Sequence, residues 1–272
     1  LENKYRLDAQ DEAKRLEEQS SQDNYSIKNE LHLAGVEIRP NDLVLDAGCG
    51  TGLLSRALID LFPDQTFRID AIDMTDRLLE YAIEETNKGH QYLNRINFQK
   101  KDICELTAKN IYQKIFSRFV FQHIPTREAQ LKAANTLYQS LAPGGSLYVI
   151  DCYGFLSHLD TNNSWLKEQI KKAEDSIPID MNIGIKLRGL FLDIGIPANQ
   201  ITTQIENFKF ETVEQRQTEA NLWRQRFVNA KPLLNSILGE EVSAKLGNEY
   251  VSEIMNPRTY IHAQKFIVEV SK

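Results

Sequence analysis

Residues 43–54 read Leu-Val-Leu-Asp-Ala-Gly-Cys-Gly-Thr-Gly-Leu-Leu, and no other stretch limits the fold of this chain so sharply. A short apolar run ends in Asp46, a glycine-rich turn follows, and a helical pattern begins at once. Leu53, Leu54, Ala57, Leu58 and Leu61 fall on one helical face able to lie against a sheet. This is the order of a strand–loop–helix unit that brings backbone close to a bound nucleotide. Gly48, Gly50 and Gly52 remove Cβ atoms where ligand and main chain approach, and they permit positive φ in a tight turn. A dinucleotide fingerprint G-x-G-x-x-G needs its third glycine where this chain has Leu53. A P-loop needs Gly-Lys-Ser/Thr at its end, which is absent.

Strand and helix patterns alternate downstream. Residues 66–72 form a second strand ending at Asp73, with Leu78, Leu79, Ala82 and Ile83 on the next helix. Further strands are expected at 96–99 and 115–120. Thr126 is placed to cap a helix buried through Leu131, Ala134, Leu137, Tyr138 and Leu141. Pro143-Gly144-Gly145 stops that helix before a strand at 146–150. A helix at 183–193, a strand at 201–210, a helical insert at 212–256 and a last strand at 260–270 complete the pattern. Residues 8–22 read as a charge-rich, solvated helix, and residues 25–34 as a second helix ending at Gly35. Alternation of this kind predicts an open α/β sheet.

The glycine-rich loop, with Asp directly after the strand, resembles motif I of the class I S-adenosylmethionine-dependent methyltransferases. The resemblance runs motif by motif from about Arg15 to Ile150. It implies an α/β Rossmann-like fold: a seven-stranded, mostly parallel sheet with the last strand antiparallel, helices on both faces and helical cap elements. It also implies one domain over residues 1–272, with an N-terminal helical cap (1–35), a cofactor-binding core (36–211), a helical lid (212–257) and a last strand (258–272). By resemblance, Asp46, Gly48, Cys49 and Gly50 line the cofactor, and Asp73 accepts hydrogen bonds from both ribose hydroxyls. A carboxylate suits that task because it has two acceptor oxygens. Asp70 competes for the role by register, but strand alternation and the neighbour Met74 favour Asp73. Met74 then packs on the adenine, while Asp102 and Ile103 hold its amino edge. Asp73 as a helix cap and Asp102 as a loop carboxylate are the structural alternatives.

Residues 116–125 resemble an S-R-F-V-x-Q-H segment of a small-molecule subgroup. There Arg118 faces the amino-acid part of the cofactor, and His123 approaches the transferred methyl as cofactor contact and base; the alternative is a histidine capping the next helix. Residues 13–19 are similar to that subgroup's E-R-L-x-x-Q helix, with Lys14 in place of the usual acidic residue. Arg15 and Gln19, with Tyr5 upstream, would then fold over the cofactor tail. One departure is Tyr112-Gln113-Lys114, where the family carries Asp before the fourth strand.

Acidic residues number 38 against 32 basic ones, a net charge of −6, so no general electrostatic footprint for nucleic acid exists. No apolar run reaches membrane-span length. Cys49, Cys104 and Cys152 have no metal-site spacing, so no metal is expected and a reducing, cytoplasmic setting fits. The expected function is methyl transfer from S-adenosylmethionine to O, N or C of a small-molecule acceptor. A cofactor-binding regulator or scaffold without turnover and an NAD-dependent oxidoreductase are the alternatives. The acceptor is expected under Leu222, Trp223 and Phe227 of the insert. The chain lacks the Asn/Asp-Pro-Pro-Tyr/Phe segment of enzymes that methylate nucleobase amines, and oligomeric state is left open.

Overall fold

A computed structural model describes residues 12–154 and 158–272. Two N-terminal helices, α1 (Glu12–Ser20) and α2 (Ile27–Leu33), precede the alternating core. The core runs β1 (Leu43–Ala47), α3 (Leu53–Leu61), β2 (Arg68–Asp73), α4 (Asp76–Asn87), β3 (Ile96–Lys100), β4 (Tyr112–Arg118), α5 (Arg127–Ser140) and β5 (Leu141–Tyr153). A short strand β6 (Leu159–Asp160) and helices α6 (Ser164–Glu174) and α7 (Leu187–Asp193) lead to β7 (Ile201–Asn207). The chain then forms α8 (Val213–Leu238), α9 (Glu240–Met255), β8 (Tyr260–Ile261) and β9 (Gln264–Ser271).

The main sheet has seven strands in the order β3-β2-β1-β4-β5-β9-β7. The five strands from β3 to β5 are parallel, and β9 runs antiparallel between β5 and β7. Strand order reverses between β1 and β4, which opens a crevice outside their carboxyl ends. Alternation fixes which side chains build each face. Leu45, Ile115 and Val149 pack with Leu137 of α5 and Leu190 of α7. Their neighbours Val44, Phe116 and Tyr148 pack with Leu31 of α2 and Leu58 of α3. The expected sheet, with helices on both faces, is therefore what the chain forms.

A further apolar cluster joins Leu166 of α6, Trp223 of α8 and Tyr250 of α9 to Tyr25 and Phe208. It packs the helical insert onto the carboxyl edge of the sheet. Thr212 and Gln215 start α8 with a reciprocal capping box, and Gly239 at φ 83° turns the chain into α9. Thr126 caps α5 by accepting the Ala129 N–H, at the expected place.

Three expectations need correction. The helix at 12–20 is not solvated: Glu12, Ala13, Arg15 and Gln19 are buried, because polar bonds to α8 replace the apolar face it lacks. The strand after α5 begins at Leu141, before Pro143, so Ser140 and not the Pro-Gly-Gly turn ends the helix. The strand expected at 260–270 is two: β8 pairs with β6, and only β9 joins the main sheet.

Candidate functional site

A cavity of about 1170 Å³ lies outside the carboxyl ends of β1, β2, β4 and β5, roofed by α1 and α8. The loop after β1 forms its floor. The N–H groups of Gly48 and Cys49 both donate to the Ile72 carbonyl, at 2.8 and 2.9 Å, and so clamp the turn to β2. Gly48, Gly50 and Gly52 all have positive φ, at 82°, 52° and 74°. Their missing side chains serve different ends. A Cβ on Gly48 would lie 2.3 Å from Val120 Cγ2, and one on Gly52 would lie 3.0 Å from the Phe98 ring. Those two glycines make room for the protein itself. Only Gly50 has no atom within 4 Å of its Cβ position, so of the three it alone offers bare backbone to open space.

Asp73 ends β2 at the cavity. One carboxylate oxygen accepts the Gly50 N–H at 2.9 Å and the other the Thr75 N–H at 2.8 Å. Each oxygen keeps one acceptor site. Asp70, its competitor by register, instead accepts from Asn97 and the Tyr112 hydroxyl. Met74 stands 63% exposed beside Asp73 at the cavity wall. Across the floor, one oxygen of Asp102 accepts the Cys104 N–H at 2.8 Å, and Ile103 is buried against the cavity. Asp46 also borders the cavity but sits deeper, accepting the Ser55 hydroxyl at 2.7 Å. Burial pushes its carboxyl up to about 6, with the nearby Asp73 charge adding to the shift. Cys49, Cys104 and Cys152 all border the cavity. Burial raises all three thiols, most at Cys49 and Cys152, so they are poor nucleophiles at neutral pH.

Arg118 lies against the cavity at the end of β4, but its charge is committed elsewhere. Its guanidinium grips both oxygens of Glu30, at 2.6 and 2.9 Å, and donates to the Tyr25 carbonyl at 2.9 Å. Glu30 is fully buried and also takes the Lys265 ammonium at 2.8 Å, which bridges on to Glu206 at 2.7 Å. Against the upward push of burial, Arg118 and Lys265 hold the Glu30 carboxyl below its ordinary value. The sequence motif shows Arg118 but not this partner 88 residues away. Its side chain anchors α2 beneath the site. The next residue, Phe119, adopts a left-handed φ of 57°, an unfavourable conformation for an aromatic side chain.

That strained turn leads to Phe121, Gln122 and His123. Gln122 and His123 line the cavity. His123 borders the cavity, and burial pulls its imidazole down to about 4, with Glu12 raising and Arg15 lowering it. Asp151, at the end of β5, holds the turn from below: its carboxylate accepts the Gln122 N–H at 3.1 Å and the Cys152 N–H at 2.9 Å. It is fully buried, and burial pushes it up to about 7. Sequence reasoning missed Asp151, whose one signal was an acidic residue closing the apolar run Tyr148-Val149-Ile150.

The roof is polar where α1 meets α8. Arg15 donates to both oxygens of Glu12 and to Gln19. Gln19 also accepts from Arg226 at 3.1 Å, and Asn229 donates to Glu12 at 2.8 Å. Arg226 further bonds Glu219 at 3.0 Å and the Tyr25 hydroxyl at 2.8 Å, and stacks 4.8 Å from the Trp223 ring centroid. Burial raises the Tyr25 hydroxyl beyond its ordinary range, so it stays protonated and can donate to Glu219. Trp223 and Arg226 line the cavity, whereas Phe227 packs on Tyr250 inside the insert. Tyr5 lies outside the described residues.

The fold agrees with comparisons against known proteins. The chain is 23% identical over 227 residues to malonyl-[acyl-carrier protein] O-methyltransferase 1 of Ilyobacter polytropus, covering 82% of this chain and 72% of that protein. The corresponding Acetivibrio thermocellus protein is 26% identical over 196 residues, covering 71% of this chain and 62% of the relative. Among solved structures, phosphoethanolamine N-methyltransferase 2 of Haemonchus contortus, in complex with S-adenosyl-L-methionine, superposes with a TM-score of 0.63 at 18% identity. The match covers 97% of this chain but only 59% of that one. A family profile described as a methyltransferase domain matches residues 38–222, more than half of the sequence. The chain therefore belongs to the methyltransferase-domain family, as a class I S-adenosylmethionine-dependent enzyme.

Proposed function

We propose that this enzyme O-methylates a small acceptor held between the Phe119–His123 turn and α8, with the cofactor lying across the loop after β1. The observation that carries the reading is the continuity of one cavity from Asp73 and Asp102 to Met181 and Trp223. A single space thus borders both the proposed nucleoside pocket and the insert. The residues present fit the cofactor. Gly50 leaves backbone uncovered, Asp73 keeps one acceptor site on each oxygen, and an exposed Met74 flanks it. On this reading Asp73 holds the ribose, Met74 and Ile103 sandwich the adenine, and Asp102 meets its amino group. Gly48, Cys49 and Gly50 run beside the amino-acid tail above Asp46, and Arg15 with Gln19 takes the tail's carboxylate.

When bound, S-adenosylmethionine supplies a methyl group on a positively charged sulfur. The protein's part is then alignment of the acceptor and exclusion of water. Trp223, Met181 and Phe119 supply apolar walls for that purpose, and Gln122 and His123 border the same space. With its pKa near 4, His123 is neutral at pH 7 and able to accept a hydrogen bond from an acceptor hydroxyl, though it is a weak base. An acceptor already ionised, such as a carboxylate, needs no base at all. The names of the curated relatives, both O-methyltransferases, support oxygen as the target. The non-catalytic regulator and the NAD-dependent enzyme are not favoured.

The test is methyl transfer from labelled S-adenosylmethionine to a panel of carboxylates, phenols, alcohols and amines, including a malonyl thioester. Transfer to oxygen acceptors above amines is expected. Preference for amines would overturn the reading.

A further inference from the structure

The N-terminal helix buries a carboxylate that neither the sequence motif nor the proposed cofactor contacts use. Glu12 is 1% exposed and Arg15 7%, on a helix with little apolar surface of its own. Burying a charged pair is expensive, and the cost is recovered only where geometry and additional hydrogen bonds are good. Here they are. Arg15 Nε donates to one oxygen of Glu12 at 2.9 Å and Nη2 to the other at 2.7 Å, a two-pronged grip on one side of the guanidinium. Arg15 Nη1 donates to Gln19 at 2.5 Å. Both holders are in turn held by α8: Asn229 donates to Glu12, and Arg226 donates to Gln19.

A guanidinium carries five N–H donors. Glu12 and Gln19 take three, which leaves one proton on Nη1 and one on Nη2. Those two belong to the terminal nitrogens and have no other acceptor among the bonds described, so they remain for an anion. Arg15 borders the cavity, as do Glu12 and Gln19. The buried pair therefore keeps a fixed, positively charged donor at the cavity wall instead of consuming it. An arginine on a mobile stem would lose side-chain entropy on binding an anion, and one already fixed has that loss behind it.

We propose that Glu12 is a positioning residue of the cofactor site: it grips the Nε side of Arg15 and presents the remaining Nη protons to the cofactor's carboxylate. The proposal rests on the reading of Arg15 as that carboxylate's ligand. Glu12 acts through Arg15 and does not touch the cofactor. Two other roles for the same carboxylate make different predictions. A Glu12 that competed with the ligand for Arg15 would weaken binding, and a Glu12 that bound the cofactor's ammonium would contribute independently of Arg15.

Calorimetric titration separates these. S-adenosylhomocysteine carries the carboxylate, and 5′-methylthioadenosine lacks the whole amino-acid part. Four proteins are compared: wild type, Glu12→Gln, Arg15→Gln and the double variant. Glu12→Gln is expected to weaken S-adenosylhomocysteine about tenfold and leave methylthioadenosine within twofold, which also shows that the variant is folded. Arg15→Gln is expected to weaken S-adenosylhomocysteine by more, and the double variant to match Arg15→Gln within twofold, since coupled residues are not additive. Tighter binding in Glu12→Gln, an unchanged value there, or a double variant weaker than Arg15→Gln by the full Glu12 factor overturns the proposal. Wild-type affinity in Arg15→Gln is a separate result: it overturns the reading of Arg15 on which the proposal stands.

Discussion

Asp73 carries two tasks that one substitution can separate. Its oxygens brace the loop through the Gly50 and Thr75 N–H groups, and on the proposed reading they also hold both ribose hydroxyls. Asp73→Ala removes all four bonds. The two to backbone leave N–H groups beside an open cavity, where solvent can replace the lost acceptor. Their loss therefore appears as stability, at about 2–4 °C in Tm for each kcal/mol in a chain of this size. The two to ligand appear as affinity. At about 0.5–1.5 kcal/mol net for each hydrogen bond, they amount to roughly 1–3 kcal/mol, or about 5- to 150-fold in Kd. Calorimetry with adenosine and 2′,3′-dideoxyadenosine isolates the second effect. Wild type should prefer adenosine by that factor, and Asp73→Ala should bind the two within about twofold. If the variant still discriminates as well as wild type, Asp73 does not hold the ribose, and the placement of the whole nucleoside falls with it.

The two loop glycines should fail differently. Gly48→Ala puts a methyl against Val120 and lowers Tm, while Gly50→Ala, with open space ahead, costs only about 1 kcal/mol in backbone strain but weakens S-adenosylhomocysteine at least tenfold. Thermal melts beside calorimetry decide this, and equal Tm losses would refute it. Asp151, raised to about 7 from an unfolded value near 3.8, takes up a proton in the native state alone as pH falls from 8 to 6. Its contribution to stability therefore grows as pH falls, by up to about 1.4 kcal/mol per unit. Asp151→Asn should remove that part of the slope of Tm against pH, and an unchanged slope refutes the assignment. His123 should show no titration between pH 5.5 and 8 by proton NMR, its resonance identified by loss in His123→Gln; a midpoint above 6 would contradict its burial.

The sequence made the inner part of this site readable because strand, loop and helix there are contiguous. Residues 53–61 form α3 with the bounds their apolar spacing predicts, and Asp73 ends β2 and Asp102 follows β3 by two residues, where short-range patterning places them. What stayed hidden depends on partners far away in the chain. The Arg118 motif gives no sign of Glu30, its partner 88 residues away, and α1 reads as solvated until Asn229 and Arg226 meet it from more than 200 residues on. Charge patterning within a helix says how many charges there are, not which of them are paired across the fold. The short β6–β8 ladder was missed for the same reason: two-residue strands carry no period, and their pairing spans about a hundred residues.

The place of β9 between β5 and β7 bears on how the polypeptide reaches this state. Synthesis runs from the N-terminus, so β5 and β7 both exist before the strand that joins them. Until residues 264–271 emerge, β5 has an unsatisfied edge and β7 no neighbour in the sheet. Bare edges of this sort invite pairing with other nascent chains. Val268 and Val270, both fully buried, close the gap. Loss of these few residues would thus be far more damaging than a deletion of equal size in most surface elements, leaving β5 with an open edge prone to self-association.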